Sequence, residues 1–204
     1  MSETEIISLA KKYSSELQKR VDQRLVEMEN DDNQHYLIYN VMNVSNEEGK
    51  QIDLYQNKGR FLYKYVGSFL EEAAILCIKH KYKDAEKVKI DNTIGIRPKT
   101  FEIDCLVNNT HAVEIKWRDA TTDGDHINKE HTRLRVISAE GYLPIRVMFY
   151  NPLRKQAIKI QKKLEKIYSE ENGKFYAGND AWNFIKDFTG VNLFELLNDI
   201  AKKT

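Results

Sequence analysis

Apolar residues recur at helical spacing along residues 59–82, GRFLYKYVGSFLEEAAILCIKHKY. An inward-facing stripe at this spacing would consist of Phe61, Tyr65, Phe69, Ala73 and Leu76 or Cys77. Such a stripe predicts a long amphipathic helix that packs against a core. Upstream, residues 3–29 predict a charged helix that ends at NDDN. The apolar and aromatic stretch from there to about residue 58 is not assigned to an element by its pattern.

Strands and helices alternate after the long helix. The pattern predicts, in order, strands at residues 88–96, 101–107 and 112–117, a helix at about 125–140, the strand PIRVMFY after Pro144, a basic helix from Pro152, and terminal helices at 179–188 and 191–202. Proline suits the first position of a helix, which is why Pro152 is taken as its start. The order of helix, three strands, helix, strand and helix predicts a mixed α/β fold.

Length and composition indicate one domain. The 204 residues, 41% of them hydrophobic, suit a single compact domain over residues 1–204, with a core at about 60–165 and helical additions at 1–30 and 179–202. No apolar run approaches the roughly 20 residues of a membrane span, and the N-terminus has no signal-peptide pattern, so we expect a cytoplasmic protein without a membrane partner. Cys77 and Cys105 lie within apolar patterns and are expected to be reduced and buried.

Positive charge is concentrated in one part of the chain. Residues 116–166 contain 12 Lys and Arg against 6 Asp and Glu, a net charge of +6, although the whole chain carries only +1. A solvated helix face is the ordinary explanation of such a run. Its position directly after an unusual hairpin also makes it a candidate nucleic-acid surface.

The hairpin is the stretch FEIDCLVNNTHAVEIKW, residues 101–117. Strand periodicity places the two groups Phe101, Ile103, Cys105, Val107 and Glu102, Asp104, Leu106 on opposite faces. If residues 108–110 form a three-residue loop with a left-handed asparagine, Asp104 lies across from Glu114. Two carboxylates in that position repel each other unless a cation lies between them.

A divalent cation would fit between these two carboxylates. Mg²⁺ prefers hard oxygen ligands and is bound through one or two carboxylates, with waters and a substrate phosphate completing its shell. Lys116, two residues beyond Glu114 on the same face, would lie beside the metal and reach a water or a phosphate oxygen. The alternative is a solvent-exposed face on which Glu102 pairs with Lys116 in an ordinary surface ion pair. Removing either carboxylate should relieve repulsion in the metal-free protein.

Asp104 followed by Glu114-Ile115-Lys116 on the next strand, after a helix containing GSFLEE, resembles the PD-(D/E)XK nuclease superfamily and its type II restriction endonucleases. The segment EIKWRDATTDGDHINKEHTRLR is similar to the ApaLI-like branch of those enzymes. The resemblance implies a restriction-endonuclease-like central mixed β-sheet flanked by helices. Ile103 departs from it, standing where the motif has proline.

The resemblance also implies site residues. Asp104 and Glu114, helped by the Ile115 carbonyl, would bind Mg²⁺, and Lys116 would orient or activate the attacking water. Many members add a glutamate from the upstream helix, for which Glu71 matches best and Glu72 is the alternative. Candidate DNA-binding residues in or near the basic segment are Arg118, His126, Lys129, Arg133, Arg135, Arg154 and Lys155, with Arg146 and Lys159 further candidates.

The predicted activity is sequence-specific cleavage of double-stranded DNA with Mg²⁺, leaving 5′-phosphate and 3′-hydroxyl ends. A repair or junction-resolving nuclease of the same fold is the alternative enzyme, and a non-catalytic DNA-binding protein of that fold is the alternative outside enzymes. One hairpin serves one strand, so we expect a homodimer that uses the aromatic-rich stretch 35–65 or the terminal helices as its interface. A restriction enzyme also implies a cognate DNA methyltransferase.

Overall fold

The computed structural model describes residues 3–119 and 121–203. Its contacts divide the chain into two compact units. The helical unit is Thr4–Phe69, and the sheet unit runs from Leu70 onward together with the extreme N-terminus. Each unit has its own secondary structure, and the candidate site residues named above all belong to the sheet unit.

Helices account for the helical unit, including the stretch that the sequence pattern left unassigned. It contains most of α1 (Glu3–Glu29), α2 (Tyr36–Val41) and the first part of α3 (Asn46–Lys81). The long helix therefore begins 13 residues before the expected position 59. The sequence SNEE explains this start, since the Glu48 N–H donates to Ser45 Oγ at 3.1 Å and Glu47 and Glu48 lie in the first turn.

The first three residues of the expected apolar stripe of α3, Phe61, Tyr65 and Phe69, lie in this unit. Phe61 is buried, and the Tyr13 ring of α1 meets the edges of Tyr65 and Phe69 with ring centroids 6.4 and 6.3 Å apart. Such edge-to-face pairs add to the stabilisation from burying the rings. Aromatic contacts between α1 and α3 thus hold the two helices together.

The sheet unit contains a five-stranded mixed sheet. Its strands, in spatial and chain order, are β1 (Glu86–Asp91), β2 (Thr100–Val107), β3 (His111–Lys116), β4 (Leu143–Met148) and β5 (Lys174–Ala177). β1, β2 and β3 pair antiparallel, whereas β3, β4 and β5 pair parallel. The parallel strands are connected through α4 (Asp125–Ala139) and α5 (Lys155–Glu170), and α6 (Asn179–Thr189) and α7 (Leu193–Lys203) follow. This confirms the predicted mixed sheet flanked by helices.

Two element boundaries differ clearly from the sequence prediction, and one strand was not predicted. β1 ends at Asp91 and does not reach residue 96, because the Asn92 side chain accepts from the Gly95 N–H and donates to the Pro98 carbonyl, both at 2.8 Å, and so makes a turn. α5 begins at Lys155 and not at Pro152, since Arg154 is still extended. β5 was not predicted, and its four residues are too short for a clear period.

The hairpin register agrees with the prediction. Val107 pairs with His111 and Cys105 with Val113, and Asn108 and Asn109 both have positive φ in the intervening loop. Continuing this register places Asp104 opposite Glu114. A loop of three residues is therefore sufficient to bring the two carboxylates to neighbouring strands.

A β-bulge in β2 changes the expected faces. Val88 pairs with Ile103 but Glu86 pairs with Leu106, so β2 carries one extra residue between positions 103 and 106. Consequently Phe101 and Ile103 pack in one cluster with Leu106, and not on the opposite face from it as strict alternation requires. Bulges re-aim side chains near functional sites, and this one lies beside Asp104.

α4 packs on the sheet through an apolar stripe that also contains charge. Val136 and Ile137 join the cluster formed with β1, β2 and Ala112 of β3. Glu130 and Arg133 of the same helix are buried as well. Charged groups are rarely buried unless they are paired, so α4 is expected to bring ion pairs to the sheet. No helix within residues 3–119 and 121–203 is long and apolar enough to cross a membrane.

Candidate active site

Asp104 lies buried in β2, with 7% of its surface exposed. Its Oδ2 accepts a hydrogen bond from the Ile115 backbone N–H of β3 at 2.8 Å. Burial, followed by the Glu114 charge, raises the pKa of Asp104 to about 7, although Lys116 and the Ile115 hydrogen bond act in the opposite direction. The positive groups around Asp104 therefore offset only part of the cost of ionising it.

Glu114, on β3, is buried but well compensated. Lys116 Nζ lies 2.5 Å from Oε1, and Arg133 Nη2 makes a very short contact with Oε2. Burial by itself would raise the pKa of Glu114, but Arg133, Lys116 and Arg146 outweigh it and hold the pKa well below its usual range. The two opposing carboxylates thus differ in their compensation. Glu114 is paired with two cationic side chains, whereas Asp104 accepts a hydrogen bond from a backbone N–H.

Lys116 lies at the end of β3 with 35% of its side chain exposed. Burial lowers the pKa of its ammonium, but the Glu114 and Asp104 charges more than offset burial, and the pKa is raised. The alternative pairing of Glu102 with Lys116 is not observed, because Glu102 pairs with Lys87 of β1 at 2.7 Å. Lys116 is therefore a charged group that faces the two acids.

Glu71 comes from α3 to the same region. Its pKa is raised by burial and by the Glu114 and Glu102 charges, while Lys116 and Lys87 lower it. These interactions connect Glu71 electrostatically to both strands of the hairpin, and the choice of Glu71 over the adjacent Glu72 stays a prediction. The fold therefore brings Asp104, Glu114 and Lys116 together, and Glu71 interacts electrostatically with Glu114 and Lys116.

A buried chain of ion pairs continues from Glu114 and was missed by sequence reasoning. Arg133 Nη1 lies 3.6 Å from Glu130 Oε2, and Arg146 Nη1 of β4 lies 3.2 Å from the same oxygen. Arg146 Nη2 then lies 2.5 Å from Asp119 Oδ2, which is 3.1 Å from His126 Nε2. The sequence did contain a sign of this burial. Helical spacing places Glu130 and Arg133 on the same side of α4 as the buried Leu134 and Ile137.

Two of the candidate DNA-binding arginines belong to this series of buried ion pairs. Arg133 is 6% exposed and Arg146 is fully buried, so neither guanidinium lies on a surface that could contact phosphates. His126 is partly buried against Asp119. These residues were predicted to bind DNA because they belong to the basic segment. The sequence shows the charge of such a residue but not whether its side chain is buried.

The remaining candidates are accessible. Lys129 and Arg135 are exposed on α4, and Arg154 and Lys155 are exposed at the start of α5, whereas Arg118 is half-buried after β3. Lys159 is exposed on α5. These side chains can reach phosphate oxygens without breaking a buried ion pair.

The donor set suits a hard cation better than zinc. Across the residues that the structure describes, no three His, Cys, Asp or Glu side chains lie close enough together to hold a metal ion by themselves. Closed structural zinc sites take four protein ligands, so this arrangement does not fit one. Two neighbouring carboxylates fit Mg²⁺, which is bound through one or two carboxylates and keeps several waters.

A five-stranded mixed sheet flanked by helices is the architecture of restriction-endonuclease-like nucleases. The family model described as ApaLI-like restriction endonuclease matches residues 1–202. The chain therefore belongs to the ApaLI-like restriction endonuclease family and is a type II site-specific endonuclease acting on DNA. Neither the curated proteins nor the solved structures gave a match to this chain.

Proposed function

We propose that this endonuclease hydrolyses both strands of its DNA site with Mg²⁺, leaving 5′-phosphate and 3′-hydroxyl ends, through a PD-(D/E)XK site. The observation that carries the proposal is the buried, undercompensated carboxylate of Asp104 beside Glu114 and Lys116. A nuclease without metal catalysis would have no need to keep such a costly group at this position.

Asp104 and Glu114 would hold the metal, with Glu71 contributing from α3. The Ile115 N–H donates to Asp104, and in a strand the carbonyl of the same residue faces the same side, which places the Ile115 carbonyl toward the site. Bound Mg²⁺ would supply charge stabilisation on the phosphate and would lower the pKa of a water. Because Asp104 must be ionised to bind the metal, binding should release its proton near neutral pH.

Lys116 would orient the attacking water and stabilise the developing negative charge. In the metal-free protein the Glu114 and Asp104 charges raise its pKa and keep the ammonium protonated at neutral pH, and next to the metal it would orient or activate the attacking water. Electrostatic stabilisation of charge that develops in the transition state is usually the largest single term in catalysis, and Lys116 would contribute to it.

DNA would be bound through the exposed cations of α4 and α5. Lys129, Arg135, Arg154 and Lys155 are accessible, and Arg118 lies directly after β3. Lysine and arginine contacts to phosphates supply affinity in any sequence, whereas arginine can also read guanine in the major groove. The enzyme would act in the cytoplasm alongside a DNA methyltransferase that protects the same sequence.

A homodimer would place one active site on each strand of the DNA duplex. The helical unit offers a surface for it, since four apolar side chains of α2 and the residue following it are between 61% and 71% exposed: Leu37, Ile38, Val41 and Met42. Exposed apolar groups this close together are typical of protein interaction sites. Light scattering should give about twice the chain mass, and Val41→Lys should shift it to the monomer.

Incubation with unmethylated plasmid DNA tests the activity. Discrete fragments with Mg²⁺, none with EDTA, and none from Asp104→Asn are expected. Fragments that T4 ligase rejoins without kinase treatment carry the expected 5′-phosphates. A smear would indicate a nuclease without sequence specificity, as in repair, and DNA binding without any cleavage would indicate a non-catalytic protein.

A further inference from the structure

Glu114 is held from two sides, and this creates a conflict with metal binding. Its Oε1 is paired with Lys116 at 2.5 Å and its Oε2 with Arg133. If Glu114 is a metal ligand, as the proposed function holds, a divalent cation would share one of its oxygens with an ammonium or a guanidinium. Each oxygen has a second lone pair, but the two cations repel each other at that distance, so opening one of the two contacts favours metal binding.

The contact between Arg133 and Glu114 is the less favourable one to open, because Arg133 has other buried partners. Its Nη2 also donates to the Glu102 backbone carbonyl at 2.8 Å, and its Nη1 lies 3.6 Å from Glu130, which Arg146 holds in turn at 3.2 Å. Only 7% of the Arg133 side chain is exposed. Opening its contact to Glu114 would leave a buried guanidinium with poorer compensation, which is strongly unfavourable.

Lys116 is free to move by comparison. Among residues 3–119 and 121–203, Glu114 is the carboxylate within ion-pair distance of its ammonium. A third of the side chain is exposed, and lysine has a flexible four-carbon stem whose ammonium is readily hydrated. Opening this contact moves a charge toward water and leaves the rest of the structure intact.

We propose that Lys116 leaves Glu114 Oε1 when a divalent cation binds there, while Arg133 keeps Oε2 throughout. Arg133 is then a positioning residue: it bridges β2 and β3 through the Glu102 carbonyl and Glu114, and so sets the orientation of the carboxylate. In the metal-free protein Lys116 is held on Glu114, and it becomes available to water and phosphate only as the metal binds. Metal binding and release of the catalytic lysine are one event.

Side-chain ¹⁵N NMR of the wild-type protein, without DNA, tests the exchange directly. During a Mg²⁺ titration we expect the Lys116 Nζ resonance to shift or broaden and the Arg133 Nε resonance to stay in place. A moving Arg133 with an unmoved Lys116 would overturn the proposal. So would Mg²⁺ binding, detected by calorimetry, that leaves both resonances unchanged.

Mn²⁺ binding, measured by the EPR signal of the free ion, provides a second test. Lys116→Met should bind Mn²⁺ about tenfold more tightly than wild type, because the metal no longer has to break a charge-assisted hydrogen bond. The matched control is Lys163→Met, which removes an exposed lysine from α5 and should not change the affinity. Equal affinity in Lys116→Met and Lys163→Met contradicts the exchange.

Asp104→Asn separates this inference from the proposed function on which it rests. If the wild type binds no Mn²⁺, or if Asp104→Asn binds it equally well, the metal site itself is wrong and the exchange falls with it. If Asp104→Asn loses the metal but Lys116 neither moves nor competes, the metal site stands and only the exchange is overturned.

Discussion

Asp104→Asn should make the metal-free protein more stable at pH 8. An aspartate in an unfolded chain titrates near pH 3.9, whereas burial, Glu114 and Glu71 raise the pKa of Asp104 to about 7 in the fold. Its contribution to stability is therefore fully present below about pH 4 and is lost as the pH rises through 7. Asparagine removes the charge and keeps an oxygen that can accept from the Ile115 N–H.

The magnitude follows from the shift. The difference between 3.8 and about 7 is about 3 pKa units, each equivalent to ~1.36 kcal/mol, so ionising Asp104 costs at most about 4 kcal/mol. We expect the substitution to recover about 2–4 kcal/mol at pH 8. For a chain of this length 1 kcal/mol corresponds to roughly 2–4 °C, which gives an increase in Tm of about 4–16 °C.

Thermal melts in EDTA at several pH values measure this effect. The gain should shrink as the pH falls from 7 towards 4, where the wild-type carboxyl is protonated. Mg²⁺ should raise the Tm of the wild type and leave that of Asp104→Asn unchanged. Glu102→Gln is the control on the same strand, because its exposed pair with Lys87 contributes little. A variant that is less stable at pH 8, or whose gain is independent of pH, would refute the reasoning.

Three further predictions concern neighbouring residues. Glu114→Gln should lower the free energy of unfolding of the metal-free protein in urea by about 3–5 kcal/mol, because it leaves the buried Arg133 charge without its carboxylate. This is the opposite of the effect of Asp104→Asn. A stabilised variant would contradict the ion pair. Lys116→Ala should reduce plasmid cleavage at least about hundredfold with little change in DNA affinity by gel shift, and near-normal cleavage would remove Lys116 from the mechanism. Arg135→Ala should weaken DNA binding and make the negative slope of log K against log salt shallower by about 0.9. An unchanged slope would place Arg135 away from the phosphates.

The Glu114 prediction revises an expectation drawn from the hairpin alone. Two facing carboxylates suggest that removing either one relieves repulsion. In the structure only Asp104 is undercompensated, because Arg133 and Lys116 hold Glu114. The same substitution chemistry is therefore expected to have opposite effects at the two positions.

Local rules were sufficient for the hairpin and for the order of most elements, but the prediction lacked α2 and β5. A period of two residues, two asparagines that tolerate positive φ and a three-residue loop are enough to place Asp104 opposite Glu114. These features depend on residues close together in the chain. The SNEE start of α3 is equally local and was readable from the sequence.

Only the tertiary structure decided which charges are buried and with whom they pair. Arg133 and Glu114 are 19 residues apart, and their contact exists because α4 crosses back over the sheet between β3 and β4. The bulge beside Asp104 likewise depends on pairing with β1. In the sequence, Arg133 and Arg135 are two cations of one basic run, but packing buries the first and leaves the second in solvent. Composition records the charge of a side chain, whereas its partner and its exposure depend on helix packing between elements distant in the chain.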